Sequence, residues 1–251
     1  MTPPADRAFW QARYRRQVSW TAELRRYALE STGLSKSARL LEVGCGYGAL
    51  LEGLHRDGYA HLTGLDFDFP ALPALPPQTN PLCADGLRMP FPPSCFNACL
   101  CHFFLLWSAH PIHALQEMKR VVRPGGWLFV LAEPDYSARV DEPPELAPLG
   151  ELQTRALLRQ GAHPFIGAHL AALFHTAGLS NVECGQLSLS PDSSPFSSEE
   201  EDEWQVLAAD LRDLLSPAEL SNWETLDRQA RRAGTRRLHV PVHYAFGQIP
   251  A

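Results

Sequence analysis

The chain has 251 residues, 45% of them hydrophobic, which is enough to bury a full α/β core and fits one domain with insertions better than two equal domains. Its formal net charge of −6 excludes a large nucleic-acid footprint, which would carry a basic excess, and no run of eighteen apolar residues offers a membrane span. No apolar leader opens the chain at Met1 to Arg7, and six cysteines without C-x-x-C spacing read as reduced, buried residues of a cytoplasmic protein.

Residues 5–32 read as one helix, with Trp10, Tyr14, Trp20, Leu24 and Tyr27 at three- and four-residue steps and Gly33 ending it. The stretch Leu40-Leu41-Glu42-Val43-Gly44-Cys45-Gly46-Tyr47-Gly48-Ala49-Leu50-Leu51 then joins a buried strand to a helix. Gly44 and Gly46 permit a sharp turn and a close ligand approach, and the helix opening near Gly48 points N–H groups at that ligand. The pattern G-x-G-x-x-G/A is also met by Gly44, Gly46 and Ala49, with Asp66 downstream, so the loop alone fits a dinucleotide as well. Glu42 separates the readings, since a carboxylate in a strand buried on both faces suits a cationic ligand better than a pyrophosphate.

A second strand ends at Leu62-Thr63-Gly64-Leu65-Asp66, and Pro70, Pro73, Pro76 and Pro77 leave no room for a normal helix before the third. Cys83-Ala84-Asp85-Gly86, the Met89-Pro90-Phe91-Pro92 turn and a fourth strand over Phe96 to Leu100 follow. A helix then leads through Lys119-Arg120-Val121-Val122-Arg123-Pro124-Gly125-Gly126 to a fifth strand and the polar loop from Ala132 to Asp141. Helices are expected over about 144–160 and 166–177, strand six near 181–189, a Pro/Ser/acidic tract over 190–203, and helices over about 199–214 and 217–233. Ser216 and Pro217 start the last helix, and a strand over 239–248 closes the sheet.

In these four motifs, covering roughly residues 38–134, the chain resembles the class I S-adenosylmethionine-dependent methyltransferases, in particular the type 11, UbiE-like small-molecule branch. The resemblance implies a Rossmann-like, seven-stranded, three-layer α/β/α sheet with an N-terminal helix and helical cap insertions, its last strand antiparallel between strands five and six. It divides the chain into an N-terminal helical lid (1–36), a core (37–195) with a helical insertion near 142–165, a helical insertion (196–235) and a final strand (236–251). It further implies S-adenosyl-L-methionine as cofactor, met by Glu42, Gly44, Cys45, Gly46 and Gly48 at the methionyl part and ribose. Asp66 would take the ribose hydroxyls, Phe67 one adenine face, and Asp85, with Gly86 and Leu87 beside it, the adenine amino group. The chain departs from the pattern at Asn97, where an Asp is usual.

Methyl transfer from a sulfonium is an in-line displacement with a neutral leaving group, so alignment in a dry pocket dominates. The segment after strand four is expected beside both cofactor and reacting methyl. Its His102 is the best-placed base, or else a histidine packed beside the cofactor. Asp135, Tyr136 and Arg139 are the second catalytic set, or else they cap the loop and pair with each other. Two basic clusters, Arg13/Arg15/Arg16 and Arg231/Arg232/Arg236/Arg237, read as solvated helix faces or as an anion site for a carboxylate or phosphate. No metal site is expected from Cys99/Cys101, from His239/His243 on one strand face, or from His169/His175 on a helix.

The leading expectation is an enzyme methylating a small molecule, without a membrane or large nucleic-acid partner; the alternative is a cofactor-binding or regulatory protein without transfer chemistry. A closed pocket formed by His102 and the 135–141 loop would favour the first, and aromatic side chains plugging that space the second.

Overall fold

The computed structural model describes residues 7–68, 71, 75–77, 79–187 and 200–251. In chain order the elements are α1 Arg7–Trp20, α2 Ala22–Ser31, β1 Arg39–Val43, α3 Ala49–Arg56, β2 His61–Asp66, β3 Thr79–Cys83, β4 Phe96–Cys101, α4 Pro111–Val121 and β5 Val122–Pro134. There follow β6 Val140–Glu142, α5 Ala147–Arg159, α6 Leu170–Thr176, β7 Ser180–Gln186, α7 Glu200–Leu211, α8 Pro217–Arg232, β8 Arg237–His239 and β9 Val242–Gln248. Seven strands form one sheet in the order β3-β2-β1-β4-β5-β9-β7. The first five are parallel and β9 runs antiparallel between β5 and β7, as the resemblance implies.

Alternation along each strand sends residues to opposite faces, and the sheet is buried on both. Leu41, Val43, Cys99 and Cys101 face α4 and α6, joining Met118 and Phe174. Leu40, Leu62, Ala98 and Leu100 face α2 and α3, joining Leu29, Leu50, Leu51 and Leu54. A third, separate core of Leu146, Leu149, Ala156, Leu207, Leu211 and Ala230 sits in the cap formed by α5, α7 and α8. Among the described residues no helix is long and apolar enough to cross a membrane. All six cysteines are free thiols.

Several sequence expectations are corrected. The single helix over 5–32 is two, broken at Thr21, whose hydroxyl and amide both turn back to the Val18 carbonyl and compete with the helical ladder. The last strand begins at Val242 rather than 239; Arg237–His239 instead pairs with Val140–Glu142 in a separate two-stranded ribbon. His239 and His243 therefore lie on different strands. The helices expected at 144 and 166 each open with a 3-10 turn, Pro144–Leu146 and Ile166–His169. Residue 199 and most of the tract over 190–203 lie outside the described residues.

The proline-rich segment after β2 forms no α-helix among its described residues. Ala71 is buried, and Leu75 packs where side chains at Gly48 and Gly64 would stand, so the loop itself covers that part of the sheet. Asn97, the departure from the family pattern, accepts a hydrogen bond from the Arg39 amide at 2.8 Å and so fixes the start of β1.

Candidate active site

The turn between β1 and α3 is built on three left-handed residues, Gly44 (φ 72°), Gly46 (φ 47°) and Gly48 (φ 79°). A Cβ is strained in that region, and at Gly44 it would also stand 2.7 Å from the Phe104 ring. The turn's amides are largely used within the fold: Gly44 and Cys45 donate to the Leu65 carbonyl, Gly48 to that of Cys45, and Gly46 to Asp66. Cys45 is buried in the core facing α3, with its sulfur toward Gly64, and burial pushes its thiol far up. It contributes backbone, not side chain, to the turn.

Glu42 lies mid-strand in β1 and is 3% exposed. Its carboxyl is raised well above the usual range by burial and then by Asp66, against the pull of the Leu51 amide and of Arg25. Oε2 has no hydrogen-bond partner among the described residues. Asp66, at the end of β2, accepts from the Gly46 and Asp68 amides, each at 2.8 Å; burial raises its carboxyl. Each carboxylate oxygen retains a second lone pair for a further donor. Phe67, beside it, is 82% exposed. Asp85 accepts from the Leu87 amide at 2.8 Å, and Gly86 packs against Val43 and Phe104 so closely that a Cβ would meet both at 2.9 Å.

The segment after β4 reaches over this turn. Phe103 has φ 51°, unusual for a bulky residue, and Phe104 follows it with its ring against Gly44 and Gly86. The anchor is Glu133, fully buried near the end of β5. Its Oε1 accepts from the amides of Phe104 (2.9 Å) and Leu105 (2.7 Å), and its Oε2 from Leu106 (3.0 Å). Burial raises its carboxyl to about 8 although all three amides favour the anion. Before it, His102 packs on Phe103 and bonds the backbone of Gln17 in α1, while its Nε2 is enclosed without a partner. Burial, then the charge of Arg25, lowers it to about 3. At neutral pH it is an uncharged and weak base.

Of the second catalytic set, Asp135 accepts from the amide and hydroxyl of Ser137 and so caps a 3-10 turn. Tyr136, raised to about 12 by burial, and Arg139 line a cavity of about 40 Å³ beneath the cap. Arg139 is held by Asp141 and Gln153, both outside the set, and its guanidinium carbon lies 5.7 Å from the centre of the Tyr136 ring. Arg13, Glu203, Asp227, Arg231 and Arg236 complete the charged part of the wall, and His102 is not among the lining residues. The two catalytic sets thus do not share one pocket. Arg13 is adjacent to Tyr14, whose ring lies 3.3 Å from where a side chain at Gly46 would begin, so α1 links cavity and turn.

Sequence reasoning missed Glu133 and Glu203. Glu133 carried the signal used for Glu42, an acid within an apolar strand, but was assigned to the loop that follows. Glu203 lay in an acidic run whose neighbours say nothing about its burial.

Residues 41–130, from β1 to near the end of β5, match the family described as the methyltransferase domain. Solved structures share the fold over nearly the whole chain. The [4+2]-cyclase SpnF is similar with a TM-score of 0.60 at 22% identity, over 92% of this chain and 81% of its own. The YcgJ protein of Bacillus subtilis is similar with a TM-score of 0.58 at 14% identity, over 92% and 98%. Phosphoethanolamine N-methyltransferase 2 of Haemonchus contortus, in complex with S-adenosyl-L-methionine, gives 0.57 at 13% identity, over 89% of this chain and 51% of that one. No curated protein sequence matches the chain. The domain match covers the stretch that holds the glycine turn, Asp66 and Asp85, and the solved structures share the fold around it.

Proposed function

We propose that the chain binds S-adenosylmethionine at the carboxyl ends of β1, β2 and β3 and methylates a small-molecule acceptor received beneath the cap. The observation that carries this reading is Glu42, a buried carboxylate with an unpartnered oxygen directly before a turn of three left-handed glycines. A buried acceptor without a donor is costly, and the amine of a methionyl group supplies one. Asp66 has lone pairs left for two vicinal hydroxyls, the exposed Phe67 offers an adenine-sized face, and Asp85 an acceptor beside the backbone of Gly86 and Leu87. A pyrophosphate at the same turn would lie against the carboxylates of Glu42 and Asp66.

When bound, the cofactor supplies an electrophilic methyl group on a sulfur that leaves as a neutral thioether. The chain's own work is then to align and to exclude water. Glu133 fixes the post-β4 backbone, Phe104 covers the turn, and α1 lies across it through Tyr14. His102, neutral and weakly basic, is a packing group beside the cofactor in this reading.

A cofactor-binding protein without transfer chemistry is the second reading, favoured by Phe104 and Tyr14 lying on the glycine turn. Thermal unfolding in separate titrations with S-adenosylmethionine, S-adenosylhomocysteine and NAD tests the cofactor. A ligand at about a hundredfold over its dissociation constant adds roughly 2.7 kcal/mol, and this is expected from the two sulfur compounds alone. A shift with NAD only, or with none, overturns the reading. Turnover of labelled methyl groups on an acceptor panel separates transferase from binder.

A further inference from the structure

The two basic clusters, more than two hundred residues apart in sequence, meet in space. Arg13 of α1, Arg231 at the end of α8 and Arg236 just before β8 line one cavity with Arg139, which follows β5. The side chains of Arg139, Arg231 and Arg236 are only 4%, 10% and 4% exposed. Buried guanidinium groups need partners. Asp141 takes Arg139 at 2.6 Å and Arg236 at 2.9 Å, and Asp227 takes Arg231 and Arg236, each at 2.7 Å.

Glu203 is held differently. It also lines the cavity, its side chain is 8% exposed, and Oε2 meets Arg231 at 3.3 Å, the longest contact among these buried pairs. Oε1 has no partner among the described residues. Burial pushes its carboxyl up to about 7 against the pull of Arg231, Arg13 and Arg236. Asp210 on the same helix is also raised by burial, and Tyr136 faces the cavity from below. Glu203 in its acid form leaves guanidinium charge uncompensated and turns an orphaned acceptor into a donor.

We infer that this cavity is an oxyanion site, in which a carboxylate or phosphate group accepts hydrogen bonds from Arg231 and from protonated Glu203. Its volume exceeds the roughly 10–15 Å³ that one water needs, and suits such a group better than a whole aromatic acceptor. On the methyl-transfer reading, on which this part rests, the acceptor is a small acid or phosphate ester whose anionic end lies in the cavity. Arg13 then joins that end to the cofactor turn through Tyr14. Binding takes up a proton at Glu203, so affinity falls as pH rises through about 7.

The test is calorimetric titration of the full chain with acetate and with sulfate, a phosphate-shaped anion that does not titrate, at pH 6 and 8 and constant ionic strength, with and without S-adenosylhomocysteine. Saturable binding about tenfold weaker at pH 8 than at pH 6 is expected, as for a site gated by one group titrating near 7. Preference between acetate and sulfate separates a carboxylate from a phosphate end. Glu203→Gln mimics the protonated acid; it is expected to bind at pH 8 as tightly as the wild type at pH 6. Loss of anion binding in a folded Glu203→Gln variant overturns the inference, since an amide that donates as the protonated acid does then fails to replace it. Absence of saturable binding, or equal wild-type affinity at the two pH values, overturns it too, even if the variant does not fold. S-adenosylhomocysteine binding without anion binding leaves the methyl-transfer reading standing and removes this one; the reverse result does the converse.

Discussion

The cofactor half and the cap half of this molecule solve opposite problems. Around Gly44 to Gly48 the fold keeps side chains out: three left-handed glycines, amides spent on neighbouring carbonyls, and carboxylates with unused acceptor capacity. Beneath the cap it brings charged side chains in, burying guanidinium groups of Arg139, Arg231 and Arg236 against Asp141 and Asp227. The first region is shaped by what is missing and tolerates no added atom. The second is shaped by charge balance and tolerates no removed partner.

Asp227→Ala tests the cap most severely. It removes one carboxylate partner from each of two buried guanidinium groups, leaving Arg231 to Glu203 and Arg236 to Asp141, and breaking buried pairs of this kind costs about 3–5 kcal/mol. Chemical denaturation should show that loss while S-adenosylhomocysteine affinity in the folded fraction stays within a few-fold of wild type. An equal loss of affinity would mean that the two halves are not separable. Gly44→Ala is the mirror experiment. A left-handed alanine costs about 1–2 kcal/mol, and its Cβ also meets Phe104, yet the larger effect falls on binding, with S-adenosylhomocysteine affinity lowered at least tenfold by calorimetry. Unchanged affinity would remove the turn from the cofactor site.

Glu133→Gln sharpens the comparison, because Glu133 is a fully buried titratable side chain that holds backbone in the cofactor half. The amide keeps an acceptor for Phe104 and Leu105 but turns an N–H toward that of Leu106, a loss of about 1–3 kcal/mol. The folded-state pKa of this carboxyl is raised from 4.5 to about 8, so its contribution is fully present below 4.5 and is lost as pH rises through 8. The stability gap between wild type and variant should therefore narrow from pH 5 to pH 8 in denaturation curves. A constant gap would show the carboxyl ionised throughout that range.

The same contrast decides what the sequence discloses. Glu42 to Gly48, Asp66 and Asp85 each sit in short contiguous motifs, because a strand, a turn and the next helix are local, and the sheet order is implied by the resemblance those motifs carry. The cap's charged network draws on residues 13, 139, 203, 227, 231 and 236, and no local pattern links them. The ribbon of Val140–Glu142 with Arg237–His239 has only three residues per strand, too few for an alternation to register. The break at Thr21 has neither proline nor glycine to announce it; a side chain's turn back to its own backbone makes it. His102 reads as a base on its ordinary pKa, and burial, then the charge of Arg25, moves it to about 3.

The ring of Phe104 fills the space in front of both Gly44, in the turn after β1, and Gly86, after β3. A methyl group added at either position pushes on the same ring. Once the ring has moved for the first, much of the obstacle to the second is gone. The two positions are therefore energetically coupled, and a double-mutant cycle between them should depart from additivity. In terms of substitution they are one locus with two addresses, forty-two residues apart in the chain and separated in space by a single aromatic side chain.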